Sequence, residues 1–257
     1  MTLLNRFTLA VGRRQFLVWR RLMWSSLVTN VLEPLIFLFA FAYGLGAVIE
    51  RVGDLDYLVF VVPGMMCYAV MFASSFETSI HAYARFQMQR TWDAILATPV
   101  SLGELLAGEA LWAMLKGLLS ATCVLLIGAL WGGVPDLATA LLAYPALALG
   151  GICFACCGLA ATAHARNWEF FAYFFTFWVT PMFVFSGTFF EVTRFPWFIQ
   201  IVAWLLPATH LIAVVRPITA GLPLDLLAAA GHAAYLAAMS AIAFALAHYR
   251  VGRRMYD

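Results

Sequence analysis

Six mostly apolar stretches, each of about 20 residues or slightly more, constrain this chain more than any other feature of its sequence. They cover residues 28–48, 58–80, 111–131, 137–161, 170–190 and 224–247. A helix that crosses the hydrocarbon core of a bilayer needs about this length. Charged residues make up only 11% of the chain, against roughly 25% in a typical soluble domain. The sequence therefore predicts an all-α integral membrane protein: one transmembrane domain over residues 1–257, with six transmembrane helices and no room for a sizeable soluble domain.

The basic residues predict which way the chain crosses the membrane. All but three of the 15 Lys and Arg residues fall on one side if the N-terminus lies in the cytoplasm. The exceptions are Arg51, Arg194 and Arg216. Cytoplasmic loops carry an excess of Lys and Arg. We therefore expect both termini and the polar segment 82–110 to be cytoplasmic, and segment 191–222 to lie outside.

The N-terminal segment 1–26 has the pattern of a basic amphipathic helix. At helical spacing its arginines keep to one arc, with apolar side chains across from them. The arc comprises Arg6, Arg13, Arg14, Arg20 and Arg21, and the apolar set comprises Phe7, Val11, Val18 and Leu22. Such a helix is suited to lying along the inner membrane surface. The alternative is a positive flank that only sets the topology.

The longest polar interruption, residues 82–110, predicts two capped helices with a break between them. Thr91 is placed to cap a short helix with Asp93 in its first turn, and Pro99 favours an end near Thr98. Ser101 and Glu104 form a capping box for the next helix. With Trp92 exposed beside Asp93, the short helix is interpreted as a docking element on the membrane surface. An ordinary well-capped loop is the alternative.

The fifth apolar stretch and the segment after it predict a substrate path and an outer structure. Stretch 170–190 is dense in aromatic residues, which suit stacking against sugar rings or packing against a lipid chain. Its candidate path residues are Tyr173, Phe177, Trp178 and Phe185. Ordinary lipid contact is the alternative. Segment 191–222 contains apolar pieces too short to span, which indicates a re-entrant pair of helices in the outer leaflet.

Motifs for catalysis are absent from the sequence. It has no phosphate-binding glycine loop, no His-Glu-x-x-His and no Gly-x-Ser-x-Gly. Glu33 and Glu77 lie near predicted helix ends rather than at mid-membrane, which disfavours a proton relay. We therefore expect no catalytic, cofactor or metal site and no nucleic-acid partner in this chain. An ion-coupled secondary transporter or channel and an intramembrane transferase remain alternative classes to an ATP-driven transporter.

Three local segments resemble the permease subunits of the type-2 ABC transporter family. The first is residues 91–101, which ends in Thr-Pro-Val-Ser. The second is Ser-Gly-Thr-Phe-Phe at 186–190, followed by Phe195-Pro196, and the third is Leu-Pro-Ala-Thr-His-Leu at 206–211, leading to Arg216. With the amphipathic N-terminal helix, the similarity covers nearly the whole chain. Within the family it most resembles the nodulation protein J branch, permeases linked to export of lipo-chitooligosaccharides.

The resemblance implies a half-transporter in the bacterial inner membrane. Two copies would form a path for a lipo-oligosaccharide or polysaccharide, with multidrug or lipid export as the alternative. Two cytoplasmic ATPase subunits would carry ATP and magnesium. Their motion would be transmitted through the N-terminal helix and the loop. The loop positions that carry this implication are Arg85, Arg90, Thr91, Trp92, Asp93, Thr98, Pro99, Ser101 and Glu104.

Overall fold

Helices form nearly all of the regular structure in the described chain, as the all-α prediction requires. The computed structural model describes residues 5–21, 23–24 and 28–256. Its helices are α1 (Arg6–Arg21), α2 (Glu33–Leu45), α3 (Tyr57–Met88), α4 (Thr91–Leu96), α5 (Leu102–Leu130), α6 (Leu137–His164), α7 (Glu169–Phe185), α8 (Trp197–Leu205), α9 (Pro207–Ala220) and α10 (Leu226–Tyr256). A short antiparallel ribbon, β1 (Arg51–Val52) and β2 (Leu55–Asp56), joins α2 to α3.

Four of the described helices are long and apolar enough to cross a membrane: α3, α5, α6 and α10. The pair α8 and α9 meets the same criteria only when taken together, and it is bent by 86° at Leu206. The described part of the first predicted span forms π-type helical turns at Val28–Leu32 followed by the shorter apolar helix α2, and the fifth predicted span forms the shorter apolar helix α7. The structure therefore gives four or five candidate spans where the sequence predicted six.

One predicted boundary differs because α3 continues into the polar segment. Helix α3 extends past the predicted end at residue 80 to Met88 through two wider, π-type turns at Glu77–His81 and Ala84–Met88. Helix α5 begins at Leu102, directly after the predicted cap at Ser101, and runs on through the predicted span 111–131 to Leu130. The predicted loop 82–110 is therefore mostly helical, and its non-helical links are short.

The largest buried cluster of apolar side chains is built around α3. Nearly every residue from Phe60 to Ser75 is buried, and α3 packs against α5, α6 and α9. Small residues allow this close packing. A Cβ at Gly117 would collide with the Ser74 side chain, and one at Gly158 would collide with Thr78. Helix α3 is thus the central element, and α10 leaves most of its outer surface exposed.

Candidate functional site

The short helix α4 and the start of α5 carry the local features that the sequence predicts, except for the cap of α4 and the direction of Trp92. Helix α4 ends at Leu96, before Pro99. The capping box is present: Ser101 N–H donates to Glu104 Oε2 at 2.7 Å, and Glu104 N–H donates to Ser101 Oγ at 3.4 Å. Thr91 is not the cap, because Arg90 occupies that position with φ of +52° and Thr91 is the first helical residue.

Trp92 points into the protein, so the prediction of an exposed Trp92 is wrong. Its side chain is fully buried, and its indole lies on the Phe86 ring with centroids 4.9 Å apart. The indole N–H donates to Glu109 Oε1 at 3.1 Å. At this buried position the apolar ring surface of Trp92 is removed from water, and its polar N–H has a hydrogen-bond acceptor. The exposed surface around α4 consists instead of Met88, Gln89, Arg90, Ala94 and residues 97–99.

Glu109 is the centre of a buried charge network. Its side chain has no exposed surface. Arg85 donates Nη2–H to Glu109 Oε2 at 2.5 Å and Nε–H to Oε1 at 3.1 Å. Gln15 of α1 donates to Glu109 Oε1 at 2.7 Å. One carboxylate of α5 therefore joins α1, the end of α3 and the helix α4.

The second carboxylate of the network is Glu77 on α3. It accepts from Arg85 Nη1 and from Lys116 Nζ, both at 2.8 Å. His81 Nδ1 lies 2.8 Å from Glu77 Oε2, the same oxygen that accepts from Lys116, whereas Arg85 donates to Oε1. The two carboxylates therefore face two basic side chains, Arg85 and Lys116. Such balance is necessary because a buried charge without a partner is strongly destabilising.

One face of helix α1 packs against α5, and its arginines lie mostly on the exposed side. Its buried residues are Thr8, Val11 and Gln15, which pack on α5. The Asn5 amide donates to the Glu104 carboxylate. Arg6, Arg13, Arg20 and Arg21 are exposed and Arg14 is half-buried, as the predicted arc requires. The predicted apolar face is only partly correct: Val11 is buried, Val18 is exposed, Phe7 is half-buried, and the Leu22 side chain lies outside the described residues.

The C-terminal end of α10 also reaches this region. Arg254 Nη1 donates to the Ala165 carbonyl at 2.7 Å and to the Ala163 carbonyl at 3.2 Å, at the end of α6. The same guanidinium lies 5.3 Å from the Phe86 ring centroid. Phe86 therefore lies between Trp92 and Arg254, which connects α4 with the last helix.

A second polar cluster lies at the opposite end of α3, around Arg216 of α9. Its guanidinium donates to the carbonyls of Gly187 at 2.6 Å and Phe60 at 3.2 Å. It also lies 3.7 Å from the centroid of the Phe60 ring. Gly187 has φ of +87°, a conformation that favours glycine. Arg216 thus joins the second and third segments of the family resemblance to the start of α3.

The predicted path residues lie in two different environments. Tyr173 and Phe177 are exposed on one face of α7, with nearly parallel rings whose centroids are 6.4 Å apart. Trp178 and Phe185 pack partly into the interior, where Phe185 meets the edge of Phe195. A substrate role for these four residues stays a prediction.

Sequence reasoning missed the network itself. It grouped Arg85 with the loop and Lys116 with the orienting charges, and it considered Glu77 only as a proton carrier. A signal was present, because Glu109 and Lys116 are seven residues apart and share one face of an apolar helix. Opposite charges at Glu77 and Arg85 lie eight residues apart on the preceding helix. Charged residues inside apolar helices require partners of opposite charge. The pair on α3, Glu77 and Arg85, supplies such partners for the pair on α5, Glu109 and Lys116.

Comparison with known proteins identifies the class of protein that this fold defines. The model of the ABC-2 type transporter family matches residues 6–219, and the chain belongs to this family. It is therefore a multi-pass membrane subunit of a transporter, and its family does not place a catalytic site in this chain.

Several relatives carry the name nodulation protein J. The one from Rhizobium meliloti strain 1021 is 39% identical over 216 residues, which cover 84% of this chain and 82% of the relative. The one from Rhizobium leguminosarum bv. viciae is 37% identical over 216 residues, 84% of this chain and 83% of the relative. A probable multidrug ABC transporter permease of Escherichia coli K12 is 26% identical over 166 residues, 64% of this chain and 45% of the relative.

Proposed function

We propose that this chain is the permease subunit of an ATP-driven exporter, and that its α4 surface docks on a separate cytoplasmic ATPase. The observation that carries the proposal is the bond from Trp92 to Glu109, which joins α4 to the buried network. Families of this type work with cytoplasmic ATPase subunits. ATP and magnesium belong to that partner, and two copies of this chain complete the transporter.

The network explains how a push on α4 reaches the membrane helices. Trp92 and Arg85 both bond to Glu109, and Arg85 also bonds to Glu77. Removing one partner of the buried ion pairs that Arg85 forms with Glu109 and Glu77 costs about 3–5 kcal/mol, so these contacts resist separation. Helix α4, the end of α3, the start of α5 and α1 therefore move as one unit when the ATPases close.

The exported substrate is an amphipathic oligosaccharide or a polysaccharide in this proposal. Several relatives are named nodulation protein J, and the exposed rings of Tyr173 and Phe177 suit stacking on sugars. Multidrug or lipid export is the second candidate, and the relative named as a multidrug permease favours it. The two substrate classes are distinguished by which of them stimulates ATP hydrolysis by the assembled transporter.

The orientation follows from the basic residues. Both termini and α4 lie at the cytoplasmic face of the bacterial inner membrane, and the bent pair α8–α9 re-enters the outer leaflet. Helices α2 and α7 complete six crossings. Reporter fusions after Asp54 and Arg194 should signal the outside, and fusions at Gln89 and the C-terminus should signal the cytoplasm. An outside signal at Gln89 would overturn the docking proposal.

Docking is tested by a charge placed on the exposed face of α4. Ala94 is exposed, so Ala94→Arg leaves the buried network intact. We expect this variant to lose co-purification with the partner ATPase. The control is Asn167→Arg, at an exposed position between α6 and α7. Equal co-purification of both variants and the parent chain would show that α4 is not the contact.

A further inference from the structure

An apolar groove of about 330 Å³ lies between α6, α7 and α10. The small side chains of Ala160 and Ala161 leave this space, while Phe174 and Trp178 of α7 line one side. Met239 and Leu246 of α10 line another. Seven residues of helix separate Met239 from Leu246, so the groove extends about 10 Å along α10. That length fits within one leaflet of a hydrocarbon core about 30 Å thick.

Basic side chains continue the groove at one end. Residues of an α-helix are about 100° apart around its axis, so Arg250 lies on the same face as Met239 and Leu246, one turn beyond Leu246. Arg253 follows on this face. Both arginines are exposed. The wall that α10 contributes to the groove therefore changes from apolar to cationic at its C-terminal end.

The end of α6 adds a further cation at the same level. His164 lines the groove, and the exposed Arg166 follows two residues later. Arg254 of α10 donates to the Ala165 carbonyl, and this bond places the C-terminal end of α10 beside the end of α6. Among residues 28–256, neither Arg166 nor Arg250 forms an ion pair with a carboxylate. The nearby Glu169 accepts a hydrogen bond from Asn167.

We propose that this groove is a binding site for one anionic membrane phospholipid. One acyl chain lies between α7 and α10, and the phosphate lies at Arg250 and Arg166. The complementarity is the observation that carries the assignment: an apolar groove that fits within one leaflet ends at Arg250 and Arg166, which form no ion pair with a described carboxylate, as the phosphate of an acidic lipid requires. The lipid comes from the bilayer and is not the exported substrate. The site is independent of the proposed docking on an ATPase.

The experiment uses the purified full-length chain without any ATPase. Native mass spectrometry counts retained lipids while phosphatidylglycerol or phosphatidylcholine is titrated into the detergent. We expect preferential retention of one phosphatidylglycerol. Arg250→Gln should weaken that retention roughly fivefold, the effect of losing one basic contact. Ile242→Trp, which fills the groove from an exposed position on α10, should abolish it.

Two controls separate the groove from general attraction to acidic lipid. Arg20→Gln removes an exposed arginine of α1, and Leu227→Trp enlarges an exposed side chain near the other end of α10. Both should retain the lipid as the parent chain does. Equal loss in Arg250→Gln and Arg20→Gln would overturn the proposal. So would equal retention of the two phospholipids, or a groove that holds a second copy of the chain, detected as dimers that Ile242→Trp disrupts.

Discussion

Charge balance within the buried network predicts that two damaging substitutions will compensate each other. Glu109→Gln keeps the side-chain size and an acceptor oxygen for Trp92, but it removes one of two negative charges. Arg85→Met removes one of two positive charges. Each single variant leaves one buried charge without its partner, whereas the double variant leaves the neutral pair of Glu77 and Lys116. We therefore expect the double variant to be more stable than either single variant.

The burial of the network sets the magnitude. Glu109 has no exposed surface and Arg85 is 9% exposed, so the cost of an unpaired charge is not relieved by water. Breaking such a pair from one side costs about 3–5 kcal/mol, whereas replacing both partners is often neutral. Independent effects would sum to about 6–10 kcal/mol in the double variant. We expect the double variant to lose no more than about 2 kcal/mol, because Lys116 and His81 still contact Glu77.

The assay is reversible unfolding in mixed micelles as the fraction of a denaturing detergent increases. The free energy of unfolding is compared for the parent chain, the two single variants and the double variant. The exposed pair of Arg194 and Glu191, 3.4 Å apart, is the matched control. Arg194→Met should cost less than about 1 kcal/mol. A double variant whose loss equals the sum of the single losses would refute the argument from charge balance.

Three further substitutions test single contacts. Trp92→Phe keeps the stack on Phe86 and loses the N–H bond to Glu109, so it should lower the free energy of unfolding by about 1.5–3 kcal/mol. Trp92→Ala should lower it by about 3–5 kcal/mol, and equal losses in the two variants would contradict this order. Pro99→Ala permits α4 and α5 to join, so substrate-stimulated ATP hydrolysis should fall more than ATPase co-purification; unchanged stimulation would contradict it. Arg216→Lys loses the planar guanidinium that donates to two carbonyls, so the free energy of unfolding should fall by about 2 kcal/mol. Arg194→Lys, the control, should leave the free energy of unfolding unchanged.

Local chemistry was sufficient to predict the helices around the polar segment and the capping box. Ser101 and Glu104 are three residues apart, and each bonds to the other's backbone regardless of the surrounding fold. The direction of Trp92 could not be derived in this way. A six-residue helix has no periodicity long enough to show which face is buried, and the partner Glu109 lies 17 residues away on another helix.

The lengths of the helices were harder to predict than their existence. A hydropathy window of 170–190 continues through Phe189 and Phe190, but α7 ends at Phe185 before the turn at Gly187. At the end of α3 the reverse happens. The polar residues Glu77, His81 and Arg85 end the apolar window, yet the helix continues because its buried charges find partners on α5. Hydropathy averages over a window and therefore detects neither a backbone turn nor a charge partner on another helix.

Helix α3 carries both polar clusters, and this explains why its middle is the most completely buried part of the chain. At one end Glu77 and Arg85 lie in the charge network beneath α4. At the other end the Phe60 carbonyl accepts from Arg216, which also holds the turn at Gly187. Between them the helix packs against α5, α6 and α9, where small residues on α5 and α6 allow close contact. The π-type turns at Glu77–His81 and Ala84–Met88 include the network residues Glu77, His81 and Arg85, so under the proposed coupling a displacement of α4 would act on the parts of α3 whose backbone departs from a regular α-helix.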